Sequence, residues 1–86
     1  ISLAIYNPYP KDTTAQYALD KINEILVSQT HAHGGEVADG MAAFANAAED
    51  PCAGGLLIEM PDGTCDVHPT PGGAAVLAGA LEAAMP

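Results

Sequence analysis

His68 stands three residues ahead of a strongly marked helix start, in the stretch Cys65-Asp66-Val67-His68-Pro69-Thr70-Pro71-Gly72-Gly73. A histidine held in that way can serve as a general base, because its neutral ring accepts a proton near neutral pH and its position is set by the element behind it. Thr70 is a natural N-cap and Pro71 a natural first helical residue, where its missing N–H costs nothing. A base needs an orienting group on its other ring nitrogen. Asp66 is the nearest carboxylate. In an extended segment the two side chains share a face with roughly 6.6 Å between their Cα atoms, so they touch only where the segment bends. A backbone carbonyl of Cys65 or Asp66 is the rival acceptor.

Two other groups of residues carry chemistry. Cys52 and Cys65 enclose a twelve-residue loop rich in Gly, Pro and Asp. A crosslink there would contribute roughly 3 kcal/mol on the chain-entropy estimate and would anchor the segment carrying His68; two unpaired buried thiols are the alternative. An even cysteine count in a short acidic chain points to an oxidising, extracytoplasmic compartment. His31 and His33, two apart at the end of a helix, fall on different faces and make a poor metal pair, so they read as solvated end residues. With His68 as a third ligand nothing fixes a zinc geometry, and neither metal nor cofactor is expected.

The histidine block and the apolar helix behind it resemble the last block of the GDSL or SGNH hydrolases, Asp-x-x-His-Pro-Thr/Asn followed by glycine. The match covers His68, Pro69, Thr70, Gly72 or Gly73, and Val76, Leu77 and Ala78. The acid departs from that pattern: Cys65 stands three residues before the histidine and Asp66 two before it. Ala4 to Pro10 is similar to the mid-domain strand and loop of such hydrolases, and Val37-Ala38-Asp39 with Ala42-Ala43-Phe44 to a later strand and its short helix.

The resemblance implies a serine ester hydrolase, an esterase or lipase, with His68 as base and either Asp66 or a backbone carbonyl in the place of the triad acid. It also implies Gly-Asp-Ser and Gly-x-Asn-Asp segments, and the 86 residues contain neither; their two serines, Ser2 and Ser28, lie outside any such setting. The expected nucleophile and oxyanion hole therefore belong to an N-terminal chain or segment, with residues 1–86 forming the C-terminal part of one domain. Asn7-Pro8-Tyr9-Pro10 follows the C-terminal end of a parallel strand, the edge where open α/β sheets place ligands, so Tyr6, Asn7 and Tyr9 are candidates for the substrate pocket. An ordinary strand-ending turn is the alternative. Met41, Phe44, Met60 and Met85 read as core.

Composition narrows the partners. The formal net charge of −9 opposes nucleic acid and anionic lipid headgroups, and the acids are spread as on a solvated surface. No apolar run approaches the length of a membrane span, and no charged n-region with an apolar h-region opens the chain. The expected partners are the serine-bearing chain and a small-molecule or lipid ester. A non-catalytic, disulfide-stapled acidic module that binds another protein is the second function class.

These residues must be positioned by few elements. Ile1–Tyr6 reads as a buried parallel strand stopped by prolines. A Thr13/Gln16 capping box opens an amphipathic helix over 13–30, with Ala15, Ala18, Leu19, Ile22, Ile25 and Leu26 on its apolar face and Gly34-Gly35 at its end. A short strand over 36–39, a helical turn over 41–47 and a Pro/Gly-punctuated stretch over 50–65 with one apolar island, Leu56-Leu57-Ile58, follow. The last helix is expected over 71–84, with Ala74, Leu77, Ala78, Leu81 and Met85 inward. The order predicts an α/β fold, the C-terminal part of a three-layer α/β/α sandwich with a parallel sheet (SGNH/flavodoxin-like). Two strands cannot cover both helices, so another chain or segment is expected to complete it. A chain this short buries only roughly 60–65% of its unfolded surface and is marginal alone.

Overall fold

The computed structural model describes residues 1–85, which form a small mixed α/β fold. The elements in order are β1 (Ser2–Ala4), α1 (Thr13–Ala32), β2 (Val37–Asp39), α2 (Gly40–Ala47), β3 (Leu57–Glu59), β4 (Cys65–Pro69) and α3 (Pro71–Ala84). β1 and β2 pair in parallel, Ser2 opposite Val37 and Ala4 opposite Asp39, with α1 as the crossover. β3 and β4 form a separate antiparallel pair.

The first strand is shorter than the apolar run that marks it, because Ile5 leaves the ladder. The buried Asn23 of α1 accepts from the Ile5 N–H at 2.7 Å and donates to its carbonyl at 2.8 Å, capping the strand with a side chain. α1 starts one residue earlier than the expected capping box. Asp12 is the N-cap, accepting from Thr14 and Ala15 N–H at 3.0 and 3.1 Å, and a carboxylate there also satisfies the helix dipole. Gln16 instead binds Asn7 and Asp20. Gly34, at φ 76°, ends the helix.

Both long helices are rotated from the expected faces. On α1, Asn23 is buried and Ala15, Leu19 and Leu26 are half-buried as expected, while Ala18, Ile22 and Ile25 are exposed. On α3 the inward residues are Gly73, Val76, Leu77, Ala80 and Ala84, whereas Ala74, Ala78, Leu81 and Met85 face out. The cause on α3 is a backbone contact, since a Cβ on Gly73 would run into the Leu56 carbonyl. Closest approach, not hydrophobicity, orients this helix.

Gly73→Ala is accordingly expected to destabilise the protein by about 1–3 kcal/mol from overpacking. Gly79→Ala has no neighbour within 4 Å and is expected to stabilise by about 0.5–1 kcal/mol through helix propensity. Urea midpoints of the two variants should therefore move in opposite directions.

The core holds Phe44, Leu56 and Leu57, with Tyr6, Ala48, Cys65, Val76 and Leu77 against it, and Ala4 and Ala38 buried in the parallel strands. Phe44 is core as expected, but Met60 and Met85 lie exposed: the first follows the end of β3, and the second caps α3 on its outer side. Cys52 and Cys65 form a disulfide, Cα to Cα 5.7 Å, that ties the start of β4 to the loop before β3. Among the described residues no helix is long and apolar enough to cross a membrane.

Candidate functional site

His68 sits on β4, and that strand is irregular. Leu57 pairs with Pro69 and Glu59 with Cys65, so Ile58 alone stands opposite three residues of β4, namely Asp66, Val67 and His68. The two extra residues make a bulge, a feature that bends a strand and re-aims its side chains. Here it supplies the bend that contact between Asp66 and His68 requires.

Within the bulge, His68 Nδ1 lies 3.1 Å from Asp66 Oδ1. An ionised carboxylate only accepts, so Nδ1 carries the hydrogen and the neutral ring keeps its lone pair on Nε2. The same Oδ1 accepts the Val67 N–H at 2.7 Å. These two bonds, that from His68 first, hold the Asp66 carboxyl below its ordinary range. The side chains are 72% and 40% exposed, so as a surface ion pair they add little stability. Asp62, in the turn between β3 and β4, is also lowered, by hydrogen bonds from the Thr64 hydroxyl and N–H.

The sign of the pH effect follows. A carboxyl with a depressed folded-state pKa contributes stability that is present above its unfolded value and lost as the pH falls through the folded one. Thermal unfolding midpoints should therefore fall as the pH drops below the ordinary carboxyl value of 3.8 for Asp62 and Asp66. In Asp62→Asn/Asp66→Asn this slope should be shallower.

The strand is fixed from behind. Thr70 caps α3 as expected, accepting from Gly73 N–H at 3.1 Å, and its hydroxyl donates to Gly55 O at 2.7 Å while its N–H donates to Leu56 O at 2.9 Å. From the other side, the Tyr6 hydroxyl donates to the Val67 carbonyl at 2.6 Å, and its ring stacks on Phe44 with centroids 4.2 Å apart. Burial, and then the charge of Asp66, push the Tyr6 phenol up.

An open apolar groove of about 420 Å³ adjoins the pair, lined by Ile5, Tyr6, Pro8, Tyr9, Leu19, Ile22, Val67 and His68 among others. Of the candidate pocket residues the structure thus brings Tyr6 and Tyr9 beside His68. Asn7 does not line this groove: it is buried, with its amide donating to Gln16 and its Oδ1 accepting the Tyr9 N–H. Ser2 accepts a hydrogen bond from Thr30, and Ser28 lines a different groove with Val27 and His31. His31 and His33 are exposed, and among the described residues no cluster of three His, Cys, Asp or Glu is placed to hold a metal ion.

The role of Tyr6 toward Val67, and the α1 share of the groove, are not visible in residue types. Asn23 had a signal, an amide interrupting an apolar helical face. No protein-family model matches the chain, and neither curated proteins nor solved structures show a match.

Proposed function

We propose that this protein is the histidine-bearing part of a serine ester hydrolase of the GDSL/SGNH type. His68 is the general base, Asp66 orients it through Nδ1, and the serine nucleophile and oxyanion hole come from an N-terminal chain or segment. The observation that carries the reading is the 3.1 Å contact between Nδ1 and a carboxylate on a rigidly tied strand. It leaves the basic nitrogen free beside an apolar groove, the arrangement in which Nε2 takes the proton from a hydroxyl and returns it to the leaving alcohol. The groove suits the acyl part of a small-molecule or lipid ester.

In this reading the β1–β2 pair belongs to a larger parallel sheet in a three-layer α/β/α sandwich. What supports that is the poverty of the core, where two of the five buried hydrophobic residues among those described are alanines, and the exposure of Ile1, Ile5, Ile22 and Ile25. The disulfide is in keeping with an extracytoplasmic location.

A fluorophosphonate serine probe on the native preparation, followed by mapping of the tagged peptide, tests the reading. Tagging of a serine in a Gly-Asp-Ser segment of a co-purifying polypeptide, with hydrolysis of p-nitrophenyl esters, is the expected result. A monomer that neither takes the probe nor hydrolyses esters supports a non-catalytic protein-binding module instead.

A further inference from the structure

We propose that Tyr6 is a positioning residue: by donating to the Val67 carbonyl, its hydroxyl holds the bulge in the shape that brings Asp66 and His68 together. For its catalytic consequence this rests on the hydrolase reading; for its structural content it does not.

Asp66, Val67 and His68 all face the single residue Ile58, so the ladder cannot serve all of their backbone groups. Both polar groups of Val67 are satisfied by side chains instead. Its N–H goes to Asp66 Oδ1 at 2.7 Å and its carbonyl takes the Tyr6 hydroxyl at 2.6 Å. The first bond is made inside the bulge and would follow it wherever it moved. The second ties it across 61 residues of sequence to the end of the parallel sheet, through a ring stacked on the buried Phe44. Val67 is the residue between the acid and the base, so rotation of its peptide units swings the two side chains relative to each other. Among the described residues the phenol is the one side-chain hydrogen-bond donor to that carbonyl from outside β4.

Tyr6→Phe removes the hydroxyl and keeps the stacked ring, so the fold is retained. Tyr17→Phe, at an exposed position on α1, is the control. The first readout is the titration of the Asp66 carboxyl by ¹³C NMR in the 86-residue chain. Asp66 should titrate below the usual carboxylate range in the parent and in Tyr17→Phe, and move up toward that range in Tyr6→Phe as the His68 bond loosens. An unmoved titration in Tyr6→Phe overturns the proposal, and so does a parent Asp66 that titrates in the ordinary range. The second readout is p-nitrophenyl acetate hydrolysis by the native assembly, where Tyr6→Phe should lower kcat roughly 10- to 100-fold with KM little changed. A titration that moves in a preparation without hydrolysis upholds Tyr6 as the positioner of the pair and overturns the hydrolase reading alone.

Discussion

On the proposed hydrolase reading, His68→Ala is expected to lower ester hydrolysis by the native assembly by about 10⁴-fold or more, the scale on which the removal of a triad base acts. KM should change little, since the imidazole is needed when the hydroxyl proton moves and contributes little to ground-state binding. Asp66→Asn separates the two candidates for the orienting group. The carboxylate accepts from Nδ1–H at 3.1 Å and selects the tautomer with its lone pair on Nε2. An amide can present its NH₂ to Nδ1 and favour the opposite tautomer, which leaves the base blocked. A fall in kcat of about 10²- to 10⁴-fold is therefore expected, against a change of a few-fold if a backbone carbonyl serves. Both variants should melt near the parent at neutral pH, because the pair is exposed and gives the fold little. Full activity in His68→Ala would sink the functional reading.

That pair was half legible in the sequence. Thr70 and Pro71 announce the start of α3 to the residue, because a cap and a first-turn proline are local chemistry. The parallel pairing of β1 with β2 follows equally from two short apolar segments around a helix. The residues between them and the site are a different case. Cys65–Pro69 alternates apolar and polar residues, but over only five positions and with a proline at its end, so the local signal for β4 is weak. It exists because Leu57 and Glu59 pair with its ends and the disulfide holds its start. Whether Asp66 could reach His68 hung on a bend, and that bend comes from the mismatch in length between two strands, a tertiary property.

The helix faces teach the same lesson in another form. Hydrophobic spacing on α3 is nearly uniform, with alanine on every side, so periodicity cannot choose a face. The choice falls to Gly73, where the absence of a side chain lets the helix meet the Leu56 carbonyl. On α1 one buried amide, Asn23, outweighs Ile22 and Ile25 because it satisfies both backbone groups of Ile5 where that strand leaves its ladder.

Opening the disulfide is the second large effect expected. Cys52 and Cys65 are separated by 13 positions, and a crosslink over that span stabilises by about 3 kcal/mol through the unfolded chain. A domain of this size has on the order of 5–10 kcal/mol in total, and the small core here places it toward the lower end. Cys52→Ser/Cys65→Ser should then lower the urea midpoint by about 2–3 M, given a slope near 1 kcal/mol per M. The loss should not be uniform. Cys65 is the residue at which β4 leaves its pairing with Glu59 and enters the bulge, so its release frees the strand at the end nearest Asp66. Thr70 still holds the other end through Gly55 and Leu56. Amide exchange should therefore rise first at residues 65–67 and last in α3, and the Asp66 carboxyl should titrate closer to its ordinary range at urea concentrations where α3 remains folded. Uniform exchange through β4 and α3, with no change at Asp66 before global unfolding, would mean that the crosslink stabilises the chain without guarding the site. Two alkylatable thiols in the native, unreduced protein would remove the crosslink itself.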